Sequence, residues 1–209
     1  MNTVDLYAYE KELWEKGVSY VGGVDEVGRG PLIGPVVTAC VVLPHDFVLE
    51  GLTDSKKLTE KKREQFYDYI MEHAVCVKIG MCSPERIDEI NIYQASREAM
   101  IEAIEKVAKE IPLEHVLVDA MPLDIDIDTT SIIKGDAKSI TIAAASVIAK
   151  VTRDRMMIEL DHKYPMYGFG KHKGYPTKQH LEAIEMYGLI EGYRKTYGPV
   201  KKILEGGKK

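Results

Sequence analysis

The sequence predicts a mixed α/β fold, one sheet with helices packed on its faces. Three observations predict it. Short β-branched runs and segments of helical periodicity follow one another in the order β-β-α-β-α-α-β-β-α-α. The 209 residues are 45% hydrophobic, which supports one sizeable core, a single domain with at most a small appendage. Charged residues are 29%, an ordinary globular level that excludes wholesale disorder.

Taken in order, "LYAYEKELWEKG" reads as a short helix stopped by Gly17, a residue suited to a helix C-terminus. "YVGGVDEVG" reads as a strand, and "GPVVTACVVLP" as a second one closed by Pro44. A glycine-rich step joins them, so they are expected to be antiparallel neighbours. Thr59 is placed to cap a helix with Glu60 in its first turn. "AVCVKIGMCS" alternates as a third strand, and Ser83-Pro84 opens a short helix. In "NIYQASREAMIEAIEKVAKEIP", Met100, Ile104, Val107 and Ile111 fall on one helical face, and Pro112 ends it. "EHVLVDA" is a buried strand ending at Asp119; "TSIIKGD" is expected to be another, ending at Asp136. "SITIAAASVIAKVTRDRMMIELD" follows as a helix whose Ala143, Ala144 and Ala145 allow close packing on a sheet. "TKQHLEAIEMYG" is the last expected helix.

Cys40, Cys76 and Cys82 lack metal-type spacing, and Cys40 and Cys76 lie in apolar runs, so the thiols read as small core residues. Reduced thiols suit the cytoplasm. The charged N-terminus has no apolar signal-peptide core, and no run reaches the roughly 18 apolar residues of a membrane span. The net charge is −5, but from Lys163 onward ten Lys or Arg face four Glu, so the remainder carries −11. A basic tail on an acidic body permits a polyanion partner; a solvated tail accounts for it equally well.

The chemistry concentrates in "GGVDEVGRGPLIGPVV". Asp25 and Glu26 sit in an apolar context, where charge is costly. Asp119 and Asp136 also follow apolar strand-like runs, and ligand sites in α/β sheets gather at strand ends. Acids converging without matching cations repel unless protonated or bridged by a metal. Oxygen ligands favour Mg²⁺ or Mn²⁺ over zinc, and two such ions suit phosphodiester hydrolysis. Taken singly, a strand-end Asp is more often a turn or cap residue, and Asp136 could be a helix N-cap. Asp124, Asp126 and Asp128 read as a solvated edge or loop. Because adjacent strand residues face opposite ways, Asp25 and Glu26 together call for a distortion, and a bulge near Gly28-Arg29-Gly30 is the expected one. The glycines allow close backbone approach to a phosphate or sugar hydroxyl, or simply make a tight turn; they do not match the P-loop pattern.

Together "GVDEVGRGPLIGPVV", "DSKKLTEKKRE", "NIYQASREAM", "VLVDA", "IIKGDAKSITIAAASVIAKVTRDR" and "YGFGKHKGYPTKQH" closely resemble bacterial ribonuclease HII, the type 2 ribonuclease H family, from about Leu13 to Tyr197. The resemblance implies a ribonuclease-H-like core, a mixed five-stranded sheet flanked by helices, over residues 1–160. A small, basic, helical C-terminal part over 161–209 packs on it. It places the acidic tetrad on Asp25, Glu26, Asp119 and Asp136, holding two Mg²⁺ or Mn²⁺ ions during catalysis. It places the loop that reads the ribose 2′-OH on Gly28, Arg29 and Gly30, and the sugar-stacking tyrosine on Tyr175, which the residues alone would suggest is a half-buried core side chain. The implied substrates are RNA–DNA hybrids and duplex DNA containing single ribonucleotides, cut on their 5′ side. Lys56, Lys57, Lys171, Lys173 and Lys178 would contact phosphates; His172 and His180 read as structural or phosphate contacts rather than proton carriers. Ile33 stands where the family often has alanine, a matter of packing. No clamp-binding motif of the kind some relatives carry is visible, which speaks against a sliding-clamp partner; a monomer without an obligate protein partner is expected. A non-catalytic nucleic-acid-binding module is the competing reading.

Overall fold

The computed structural model describes residues 5–53, 55 and 58–206. Val21–Val27 (β1) and Val36–Val42 (β2) pair antiparallel in unbroken register, from Gly22 opposite Val42 to Val27 opposite Val37. Cys76–Cys82 (β3) extends the sheet antiparallel beyond β2. His115–Asp119 (β4) joins the other side of β1 in parallel, and Asp128–Ile132 (β5) joins β4 in parallel. The resulting five-stranded order is β3-β2-β1-β4-β5.

Every residue of β2 is buried, because helices cover both faces. On one face Ala39 and Val41 pack with Ile140–Lys163 (α4) and with Phe66 and Ile70 of Glu60–His73 (α2). On the other, Val24, Cys40 and Val42 pack with Met100, Ala103, Ile104 and Val107 of Pro84–Ala108 (α3). Period-2 alternation in the strand thus meets two helical stripes. The alanines of α4 are fully buried, and the helix comes so near β1 that a Cβ on Gly23 would lie 2.2 Å from the Thr141 carbonyl carbon.

Helix starts follow the capping signals. Thr59 accepts from Lys62 N–H and Ser83 from Arg86 N–H. The short and long helices expected around Asn91 are joined through a kink at that residue (φ 69°), whose Oδ1 accepts from the N–H groups of Tyr93 and Gln94. The helix Ala8–Glu15 (α1) ends before Gly17, at φ 89°. It carries the buried Glu10, whose Oε1 accepts from Thr141 N–H and from the Ser139 and Thr141 hydroxyls at the start of α4.

Two expectations are corrected. The strand predicted to end at Asp136 ends at Ile132, because Lys134 turns left-handed (φ 57°) and Gly135–Ala137 forms a 3₁₀ turn. Asp136 does not cap α4 either; the Ser139 side chain does, accepting from Ile142 N–H at 3.2 Å. Beyond α4 lie Phe169–His172 (α5), Lys178–Tyr187 (α6) and Gly198–Gly206 (α7), of which only α6 was anticipated from sequence. Tyr167, Phe169, Ile184, Tyr193 and Val200 from this region pack on Leu32, Ile33 and Met157. Among the described residues no helix is long and apolar enough to cross a membrane.

Candidate active site

Extending the parallel register one step past Val24 and Val118 sets Asp25 beside Asp119, on the face that Gly23 presents to α4. Glu26 belongs to the opposite face, yet its carboxylate joins the other two: one ligand atom from each of Asp25, Glu26 and Asp119 lies within 4.8 Å of the others. No bulge achieves this, since β1 and β2 stay in register throughout. Instead β4 stops at Asp119, leaving no strand beside Glu26 on that side, and its side chain reaches around the strand edge.

Each acid has its own support. Asp25 is buried and accepts from Glu26 N–H at 2.7 Å and from the Ser146 hydroxyl. Ser146 in turn contacts Ser55 Oγ at 2.9 Å. Asp119 Oδ1 accepts from Gly135 N–H at 2.6 Å. Glu26 Oε1 has Arg29 Nη1 at 3.5 Å. Asp136, the fourth predicted acid, is not one of the clustered three; it follows Gly135 on the turn that touches Asp119. Burial, then the charges of Glu26 and Asp119, push Asp25 well above the usual carboxylate range, against the opposing bonds from Ser146 and Glu26 N–H. Burial also raises Glu26; Arg29 opposes this and the Asp119 charge adds to it.

These residues fit a divalent cation on an observation independent of their number. Glu26 Oε2 is buried and has no hydrogen-bond partner among the described residues. Oxygen atoms desolvated, crowded and left unsatisfied are what a hard cation relieves.

Beside the acids, Glu26, Val27, Gly28, Arg29, Gly30 and Tyr175 line a cleft of about 120 Å³. Gly28 has φ 95°, and a Cβ there would meet Arg153 Nε at 2.3 Å. Tyr175 is 39% exposed, not a core tyrosine, and its ring lies against Gly30. Two arginines that sequence reasoning passed over hold this loop, and both are fully buried. Arg153 donates to the carbonyls of Ile33, Pro35 and Lys173. Arg194 donates to those of Gly28, Arg29 and Gly34. Burial, reinforced by the nearby Arg194 charge, draws the Arg153 guanidinium down to about 10.

Of the lysines, Lys171 and Lys178 are exposed and Lys178 Nζ lies 3.6 Å from Glu182; Lys173 is half-buried with φ 52°. Lys56 and Lys57 lie outside the described residues. His172 and His180 are internal supports. They stack at 4.4 Å; His172 Nε2 bonds the Tyr167 carbonyl, and His180 bonds the Tyr175 carbonyl and the Tyr193 hydroxyl.

This strand order, with acids crowded at the ends of neighbouring parallel strands, is that of the ribonuclease-H-like fold class. Residues 22–196 match the protein-family model for ribonuclease HII. The chain is 58% identical to ribonuclease HII of Bacillus mycoides (strain KBAB4) over 202 residues, 97% of this chain and 78% of that protein. Its fold matches the crystal structure of ribonuclease H2 from Pyrococcus horikoshii OT3 with a TM-score of 0.75 at 29% identity, covering 91% of this chain and 99% of that one. It also matches the ribonuclease HII of Archaeoglobus fulgidus, solved as a complex with PCNA, with a TM-score of 0.70 at 26% identity over 85% and 95% of the two chains. The chain belongs to the ribonuclease HII family and is a nuclease of that type.

Proposed function

We propose that this chain cleaves the RNA strand of RNA–DNA hybrids and also incises duplex DNA on the 5′ side of a single embedded ribonucleotide. The products carry 3′-hydroxyl and 5′-phosphate ends. The reading is supported above all by the Asp25, Glu26 and Asp119 carboxylates, packed within 4.8 Å next to the Gly28–Gly30 loop. These three, completed by Asp136, would hold two Mg²⁺ or Mn²⁺ ions, which when bound would supply positive charge for activating water and for stabilising the leaving oxygen.

The chain's own residues do the rest. Ser146 and the Glu26 and Gly135 amides fix the directions of the Asp25 and Asp119 carboxylates. The amides of the Gly28–Gly30 loop receive the ribose 2′-OH, and the Tyr175 ring stacks against the neighbouring sugar. Lys171 and Lys173, with Lys56 and Lys57, contact the phosphates and make affinity salt-dependent. The chain acts as a monomer, in the cytoplasm, without an obligate protein partner.

The test is a nicking assay on duplex DNA containing one ribonucleotide, with Mg²⁺, with Mn²⁺ and with EDTA. Incision 5′ to the ribonucleotide in either metal and none in EDTA is expected. Binding without scission in both metals would overturn the reading.

A further inference from the structure

We propose that Arg194, assisted by Tyr197, is a positioning residue that sets ribonucleotide specificity by aiming the amides of the Gly28–Gly30 loop. The inference rests on the reading that this loop receives the ribose hydroxyl, and it names what makes the loop able to do so.

Arg194 Nη2 donates to the Gly28 carbonyl at 2.6 Å, and Arg194 Nη1 to the Arg29 carbonyl at 3.0 Å. The Tyr197 hydroxyl donates to that same Arg29 carbonyl at 2.6 Å and accepts from Arg194 Nη1 at 2.9 Å. No peptide bond here is cis. In a trans peptide the C=O and the following N–H point in opposite directions. Two successive carbonyls drawn onto one guanidinium therefore turn two successive N–H groups, those of Arg29 and Gly30, away from it. We place the cleft lined by Glu26, Val27, Gly28, Arg29, Gly30 and Tyr175 on that side, because Arg29 and Gly30 line it and Arg194 does not. Neither N–H has an acceptor among the described residues. Converging free amides of this kind form a nest for an oxygen ligand.

The guanidinium's geometry suits the task. Its planar fork spreads five N–H groups in fixed directions, and here Nε and Nη2 also hold the Gly34 carbonyl, at 3.0 and 2.8 Å. One side chain thus ties the Gly28–Gly30 loop to Gly34, near the far end of the connection between β1 and β2. Arg194 is itself anchored, because Asp88 at the start of α3 accepts from Lys195 N–H, Thr196 N–H and the Thr196 hydroxyl. A residue serving only stability has no reason to grip successive carbonyls whose partner amides are left open.

The test compares two duplexes of one sequence, one with a single ribonucleotide and one all-deoxy. Binding is measured by fluorescence anisotropy with Ca²⁺ replacing Mg²⁺, for wild type, Arg194→Lys and Tyr197→Phe. A lysine keeps the charge and loses the fork; phenylalanine removes one hydroxyl only. Affinity for the ribonucleotide duplex should fall about tenfold for Arg194→Lys and about threefold for Tyr197→Phe. Affinity for the all-deoxy duplex should stay within about twofold of wild type. If Arg194→Lys fails to fold, Tyr197→Phe decides alone. Equal loss on both duplexes, or an undiminished ribonucleotide preference, overturns the role of Arg194. A wild type that shows no ribonucleotide preference overturns instead the reading of the loop on which this role rests.

Discussion

Replacing Asp25 by Asn should stabilise the metal-free protein while abolishing cleavage. Two charged neighbours, Glu26 and Asp119, offer oxygens within 4.8 Å of Asp25. At an effective dielectric of about 20, each such pair costs about 3.5 kcal/mol if both groups are ionised. Asp25 escapes part of this by taking a proton, the direction in which burial already pushes it. Proton uptake at pH 7 by a group whose ordinary pKa is near 4 costs about 4 kcal/mol, which is the ceiling on the penalty. Arg29 next to Glu26 and the hydrogen bonds from Ser146 and Glu26 N–H reduce it further. An asparagine keeps the shape and an acceptor oxygen, so about 2 kcal/mol should be recovered. For a chain of this length that corresponds to a Tm increase of roughly 4–8 °C in EDTA. The assay is thermal unfolding followed by circular dichroism, in EDTA and in Mg²⁺ or Mn²⁺. Wild type should gain stability from the metal, and the variant should gain little. A natively folded Asp25→Asn protein melting at or below wild type in EDTA would refute the reasoning, since the carboxylates would then carry no repulsion for a cation to relieve.

The metal-free protein should also lose stability as pH rises past the ordinary carboxylate value of about 4. The folded-state pKa of Asp25 is raised, so the native state binds the extra proton and sheds that advantage as pH climbs; equilibrium urea unfolding in EDTA from pH 5 to 8 measures the slope, and metal should flatten it. His180 works the other way. Burial lowers it to about 4, so its contribution is complete above about 6.5 and is lost as pH falls through 4, by up to about 3 kcal/mol; His180→Asn should shrink that acid limb in the same titration. Gly23→Ala should cost about 3 kcal/mol or more in urea unfolding, because the new methyl meets the α4 backbone rather than a side chain that can swing aside. Glu10→Ala should cost about 2 kcal/mol by the same measurement, since it strips a buried acceptor from the Thr141 N–H and two hydroxyls.

The parts of the fold legible in the sequence were those whose cause is local. Strands announced themselves by β-branched runs between glycine and proline, and helices by Thr59, Ser83 and the apolar face through Met100 and Val107. Asp25, Glu26 and Asp119 stood out because acids in apolar runs need a reason. What failed depended on contacts between distant segments. Asp136 looked like a strand end because the β-branched pair Ile132-Ile133 precedes it, but the left-handed Lys134 ends the extended backbone early. The predicted bulge assumed that Glu26 needed a new backbone direction, when the early end of β4 already gave it room. Glu10 and Arg194 gave no signal, since their partners lie more than a hundred residues away. Arg153 did give one that was missed: it falls in the buried stripe of α4 between Ala149 and Met157, at steps of four.

The two buried arginines also explain why the acidic cluster stays available for a cation. Salt-bridging Arg153 or Arg194 to Asp25 or Glu26 would relieve both the desolvated guanidinium and the crowded carboxylates. Instead their hydrogen bonds go to backbone carbonyls and, for Arg194, the Tyr197 hydroxyl. Among the described residues only Arg29 leans on the cluster, at 3.5 Å and half-exposed. Carbonyl partners hold a guanidinium without cancelling its charge, so the loop is fixed without either buried arginine salt-bridging the carboxylates. The sheet thus keeps two unfavourable charge deposits side by side, one spent on aiming a loop and the other left for a metal. Swapping those partners would give a more stable protein with neither an aimed loop nor a cation site.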